Sequence, residues 1–166
     1  MVVSRMWRNL VTPPWVAARA FSPRAMQAIE KAIRLSEAQH AGQFCFAVEA
    51  TLDFGPLLAG QTARERAIEV FSLLRVWDTE ANNGVLIYLL LAEHDVEIVA
   101  DRGIAQRVEP SRWETICQQM EGEFRAGKFA RGAITGVAAI GDELARHYPR
   151  TDASPRNEIP NRPVVL

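Results

Sequence analysis

The stretch from Asn82 to Ile104 constrains the fold of this chain most. Val85 to Ala92 is an unbroken apolar run containing Val, Ile, Tyr and Leu, far shorter than a membrane span. It reads as a strand with no solvent face, and such a strand needs covering elements on both sides. Val96-Glu97-Ile98-Val99-Ala100 answers it with partial alternation, and Glu93-His94-Asp95 is a tight polar turn between the two. A hairpin brings the start of its first strand beside the end of its second. Asn82, Asn83 and Asp101 therefore fall at one sheet edge, next to Gly84 and Gly103. Oxygen-bearing side chains gathered there are a candidate site for a hard cation or a small ligand. Asn-Asn-Gly and Asp-Arg-Gly are also ordinary turn chemistry.

Four helices frame the strands. Ser22 and Pro23 open the first, which runs to about His40 with Met26, Ile29 and Ile33 on one face. A strand follows from Gln43 to Ala50, and then a loop at Leu52–Gly60 that its glycines and proline mark as irregular. Thr62 with Glu65 forms a capping-box pattern for a second helix, with a stripe of Ala63, Ala67, Val70, Phe71, Leu74 and Trp77. Ser111 with Glu114 opens a third, carrying Trp113, Ile116, Cys117, Met120 and Phe124. The last spans about Phe129 to Tyr148, where Gly132 and Gly136 permit close approach of a neighbour. The tail after Pro149 contains Pro155, Pro160 and Pro163 and reads as extended.

The element order predicts an α/β fold in three layers. A crossover joins the first two strands in parallel, an antiparallel hairpin adds the third, and helices cover both faces of this mixed sheet. Parallel strands start at the same edge. Glu37, His40 and Gln43 precede or open the first strand, Asp78, Glu80, Asn82 and Asn83 precede the second, and the third ends at Asp101. Oxygen donors from separate parts of the chain thus converge on one rim.

Three units follow: a basic N-terminal arm (residues 1–22), the α/β domain (23–148) and the Pro-rich C-terminal tail (149–166). The 166 residues suit one domain with a real core. A net charge of -1 argues against nucleic acid as a partner. No acid precedes Glu30, whereas Arg5, Arg8, Arg19 and Arg24 do. Thr12-Pro13-Pro14 breaks any continuous apolar core of a signal peptide, and no run reaches membrane-span length, so the chain reads as cytoplasmic with no transmembrane segment. The arm, with Met6, Trp7, Leu10, Val11 and Trp15, is expected to fold back on its own domain; peripheral contact with a membrane or a protein partner is the alternative. Cys45 and Cys117 read as small core hydrophobes.

Three lookalikes fail. Gly122 to Phe129 approaches a phosphate loop, but Phe129 stands where the magnesium-holding hydroxyl is needed and the segment follows a helix. Asp53-Phe54-Gly55 has no kinase catalytic loop to accompany it. Glu37 and His40 are spaced as in di-metal bundles, yet no second pair occurs.

Asn82-Asn83-Gly84-Val85-Leu86-Ile87-Tyr88, Ile98-Val99-Ala100-Asp101-Arg102-Gly103-Ile104, and Met120 with Phe124 to Phe129 and Gly132 together resemble the TPM domain family. The similarity runs over residues 24–148, and Asn157-Glu158-Ile159-Pro160 is similar to the compact bacterial branch. The resemblance implies a helix-covered mixed sheet and a divalent cation, calcium first and magnesium or manganese next. It implies Asp101, Asn83 and Glu37 as metal ligands; Gln43, His40, Asp78, Glu80 and Asn82 are further candidates from the strand topology at the same rim. Gln43 stands where an acid is common and Asn82-Asn83 where Asp often occurs, which lowers the negative charge of the rim. Some relatives are accessory factors in membrane-protein maintenance, and acid phosphatase activity is ascribed to some plant members. Two expectations follow: a metal-binding accessory module with an unknown protein partner, or a metal-dependent phosphomonoester hydrolase. The first is preferred, because no nucleophile constellation is evident and no catalytic residue can be assigned.

Overall fold

A strand that is apolar on both faces has to lie inside a sheet, and the computed structural model places it there. Residues 2–13, 15–151 and 157–166 are described; Pro14 and Pro155, prolines of the arm and tail, lie outside them. The sheet has the order β3-β2-β1-β4, where β1 is Gln43–Glu49, β2 Gly84–Leu90, β3 Asp95–Ala100 and β4 Val164–Val165. β1 and β2 are parallel with Gln43 opposite Gly84, and β2 and β3 are antiparallel with Val85 opposite Ala100. Every residue of β1 and β2 is buried. After β2 the run Leu91–Glu93 tightens into a 3₁₀ turn, and His94 takes the left-handed conformation that reverses the chain.

The α/β fold is as expected, with helices on both faces. On one face, Phe44, Phe46, Val85, Ile87 and Ile98 pack with α3 (Pro23–Glu37), α7 (Pro110–Arg125) and α8 (Phe129–His147). On the other, Cys45, Ala47, Leu86, Tyr88 and Val99 meet α4 (Phe54–Leu58) and α5 (Ala63–Leu73). The start signals hold for two helices. Ser22 Oγ accepts from the Ala25 amide, and Thr62 with Glu65 forms a complete capping box. The third differs: it starts at Pro110 after Glu109 rather than at Ser111, because proline's fixed φ already suits the first helical position.

Other departures accompany it. The loop after β1 contains the single-turn α4. Arg75, at φ 52, stops the second helix, so Val76 takes the core position and Trp77 is 50% exposed. A one-turn helix, α6 (Arg102–Ala105), follows Asp101. The Pro-rich tail returns to the domain as β4, with Val164 opposite Ala47, and buries Ile159. Close approach of α7 and α8 depends on glycine: a Cβ at Gly136 would sit 2.2 Å from Met120 Sδ, and one at Gly132 2.6 Å from Phe124 Cε1. Arg112 of α7 pairs with the buried Glu143 of α8 at 2.7 Å, tying these helices further, and Arg146 on the same helix as Glu143 adds a second pair at 3.0 Å.

The arm folds back as α1 (Val2–Val11) and α2 (Trp15–Ala20), with Ala17 and Phe21 buried in the core. Among the described residues no helix is long and apolar enough to cross a membrane.

Ile87 is fully buried at the centre of β2. Ile87→Ala should destabilise the protein by about 2–4 kcal/mol through lost transfer free energy and the cavity left behind, read by urea unfolding. An unchanged midpoint would contradict its central packing.

Candidate functional site

The sheet rim where β1 and β2 begin divides into two hydrogen-bonded halves. On the β3 side, the Asp101 amide donates to Gly84 O at 2.9 Å and the Gly103 amide to Asn82 O at 3.0 Å. Asp101 caps α6, its Oδ1 accepting from the Arg102 amide at 2.7 Å, while its Oδ2 is buried without a hydrogen-bond partner among the described residues. Asn83 is fully buried and donates Nδ2 to Ala41 O at 3.0 Å, which leaves its Oδ1 as a second buried acceptor without a donor. Asn82, at φ 50, accepts from Arg102 Nε through Oδ1 at 3.0 Å. Each buried acceptor without a partner costs about 1–3 kcal/mol, so two at one rim mark a place for a cation or a donor. Gly103 lets oxygens crowd in beside them: a Cβ there would lie 2.5 Å from Asn82 O, 2.8 Å from Tyr148 Oη and 2.9 Å from Ala81 O.

On the β1 side the groups are engaged with the C-terminal segment. Glu37 Oε1 accepts from the Phe44 amide at 2.9 Å, and Oε2 accepts from Asn161 Nδ2. Gln43 Oε1 accepts from the Glu158 and Ile159 amides at 2.9 and 3.3 Å. Arg150 donates to Glu37 O at 2.8 Å. A cleft of about 460 Å³ opens here among Arg34, Glu37, Gln43, Arg150, Asn157 and Asn161. Burial pushes the Glu37 carboxyl up to about 7, against the lowering effect of the Phe44 amide, Asn161 and Arg150.

His40 lies behind this half. Its Nε2 is 3.0 Å from Ser36 Oγ and its ring meets Phe44 edge-on at 5.5 Å. Burial lowers its pKa to about 4, partly opposed by the Gly42 backbone and reinforced by Arg150, so the ring is neutral near pH 7. Ser36 and His40 also border a cleft of about 230 Å³ between α3 and α8. Asp78 and Glu80 are exposed, and the Glu80 amide donates to Glu158 Oε2 at 3.0 Å.

The rim thus brings Asn82, Asn83 and Asp101 together on one side and Glu37, His40 and Gln43 on the other. Asn83 bridges the halves, because its carbonyl accepts from the Gln43 amide at 3.3 Å. Among the described residues no three His, Cys, Asp or Glu side chains form a metal-holding group. Sequence reasoning missed Arg150, Glu158 and Asn161, whose part depends on the tail returning to the rim. It also missed a network at the opposite strand ends, where Tyr88 Oη donates to Glu49 Oε2 at 2.6 Å and Arg66 grips both Glu49 oxygens at 2.9 and 3.0 Å. A Tyr inside an otherwise aliphatic run was the available signal. This triad is mutually satisfied and ties α5 to the sheet.

A family model described as the TPM domain matches residues 16–143. The NMR structure of BA42 protein from the psychrophilic bacterium Bizionia argentinensis is similar at 27% identity and a TM-score of 0.77, over 88% of this chain and 95% of that one. The N-terminal domain of a P. gingivalis protein shares the fold at 18% identity and a TM-score of 0.60, over 86% of this chain and 96% of that one. No curated protein matches significantly.

Glu37 and His40 give opposite pH dependences. Raised from 4.5 to about 7, Glu37 binds its proton more tightly in the folded chain, so its contribution is full below pH 4.5 and lost as pH rises through 7. His40, lowered from 6.5 to about 4, contributes stability above pH 6.5 that is lost as pH falls through 4. Glu37→Gln removes the first slope. Its unfolding free energy relative to wild type should improve by on the order of 2 kcal/mol between about pH 4.5 and pH 8. A difference constant with pH would mean that Glu37 ionises normally.

Proposed function

Since the chain belongs to the TPM domain family, we propose that it is an accessory module whose sheet rim binds a divalent cation, calcium first, in the service of membrane-protein maintenance or stress response. The reading rests on one observation above all: Asp101 Oδ2 and Asn83 Oδ1 are buried acceptor oxygens at the same rim with no donor among the described residues. A carboxylate and an amide oxygen suit calcium, magnesium or manganese, whereas zinc favours the Cys and His donors that this rim half does not present. Asp101 and Asn83 would hold the ion; Asn82, whose Oδ1 faces Arg102, and Glu37, whose oxygens face Phe44 and Asn161, would support the loops around it. A bound cation would supply charge neutralisation at the rim. With a single carboxylate in direct reach, affinity should lie at the weak end for calcium, about 10⁻⁴–10⁻³ M.

One observation favours hydrolysis of phosphomonoesters as a second reading. The cleft beside Glu37 combines a carboxyl raised to about 7 with Arg34 and Arg150, groups suited to proton transfer and to an anionic substrate. Both Glu37 oxygens are already engaged and, among the described residues, no activated nucleophile faces the cleft, so binding is the better account.

Titration of the protein with calcium, magnesium and manganese, followed by NMR, tests both. Shifts should concentrate at residues 82–84 and 101–103. They should vanish in Asp101→Ala and weaken in Asp101→Asn, which retains an oxygen to cap α6. Equal binding by Asp101→Ala would remove the site. Robust metal-dependent turnover of an aryl phosphate that disappears in folded Glu37→Gln and His40→Ala would make the hydrolase the better account.

A further inference from the structure

Helix α1 docks the wrong way round for a surface helix. Two of its polar residues face the domain: Arg5 donates to Glu93 at 2.8 Å and to Gln61 O at 2.6 Å, and Asn9, 5% exposed, accepts from the Leu52 amide at 3.0 Å and donates to Glu93 at 2.9 Å. Three of its apolar residues face outward while Met6 packs against the core: Trp7, Leu10 and Val11 follow helical spacing and are 66%, 57% and 50% exposed. Trp15 of α2 adds a second outward indole, 59% exposed. An amphipathic helix that only covered its own core would present the reverse arrangement.

We infer that this arm is a docking surface for a lipid bilayer with anionic headgroups. Charge selects that occupant. No acid precedes Glu30, and the exposed Arg8, Arg19 and Arg24 form no salt bridge among the described residues. The nearby Glu93 is neutralised by Arg5 and largely covered, so it does not cancel their field. Indole rings concentrate at the bilayer interface, and an apolar helix face flanked by arginines is the composition that lies flat on anionic lipid. The geometry suits that placement. With polar contacts to the domain on one side, α1 lies between the protein and the acyl boundary, and ions in solution screen the attraction. This surface is separate from the cation rim and stands or falls independently of it.

The test is sedimentation of the full chain with phosphatidylcholine vesicles containing about 30% phosphatidylglycerol, compared with phosphatidylcholine alone. Binding should be about tenfold stronger to the anionic vesicles and should fall with added salt. Brominated lipid should quench the tryptophan emission. Trp7→Ser with Trp15→Ser should abolish binding and quenching, and Arg8→Glu with Arg19→Glu should remove the anionic preference. Both pairs are exposed, so thermal unfolding should be unchanged. Trp77→Ser, at an exposed tryptophan outside the arm, should bind as wild type. Equal binding to both vesicles, full binding by the Trp7/Trp15 variant, or loss of binding in Trp77→Ser would overturn the inference. So would self-association through Trp7 and Trp15 without vesicle binding, which would make a second copy the occupant.

Discussion

Burial of β2 on both faces is the constraint from which the rest of the structure follows. Seven consecutive strand residues without solvent exposure leave no face to serve water, so two covering layers are required. α3, α7 and α8 form one layer and α4 with α5 the other. Because β2 must be flanked by strands on both edges, its backbone groups are paired with β1 on one side and β3 on the other. That pairing sets the rim: the start of β2, the start of β1 and the end of β3 are brought side by side by register alone.

The rim gains its chemistry from the way backbone ends are satisfied there. Glu37 and Gln43 act as acceptors for amides and for Asn161, which fastens the returning C-terminal segment to the start of β1. Burying the Glu37 carboxyl raises its pKa, and burying the His40 imidazole lowers its own, so both groups favour neutral forms in the folded chain. On the β3 side the capping role of Asp101 uses one oxygen and leaves the other enclosed. The Glu37 and Gln43 oxygens are therefore taken up by protein donors, whereas Asp101 Oδ2 and Asn83 Oδ1 have none among the described residues.

The arm shows a different balance. Its docking to the domain combines a largely covered ion pair, Asn9 completing the loop after β1, and Met6 packing against the core. Further apolar burial is supplied by Ala17 and Phe21 beyond it, where Phe21 packs against Phe46, Phe124 and Phe129. The arm is held at both ends, and its outward tryptophans stay exposed on the surface of the chain.

Much of the fold was legible in the chain because short-range rules set it. The apolar run of β2, the Ser22-Pro23 start, the Thr62–Glu65 box and the close packing at Gly132 and Gly136 all express local periodicity or local sterics. The convergence of Asn82, Asn83 and Asp101 was legible too, since a hairpin fixes that neighbourhood by itself. What the chain could not disclose depends on long-range partners. The return of residues 157–166 to the sheet through β4, the capture of Glu37 and Gln43 by that segment, and the Glu49–Tyr88–Arg66 network join positions far apart in sequence. The same holds for the inverted docking of α1, which Glu93 and Leu52 decide. Periodicity assigns a helix its apolar face; only the surface it meets determines whether that face turns inward or out.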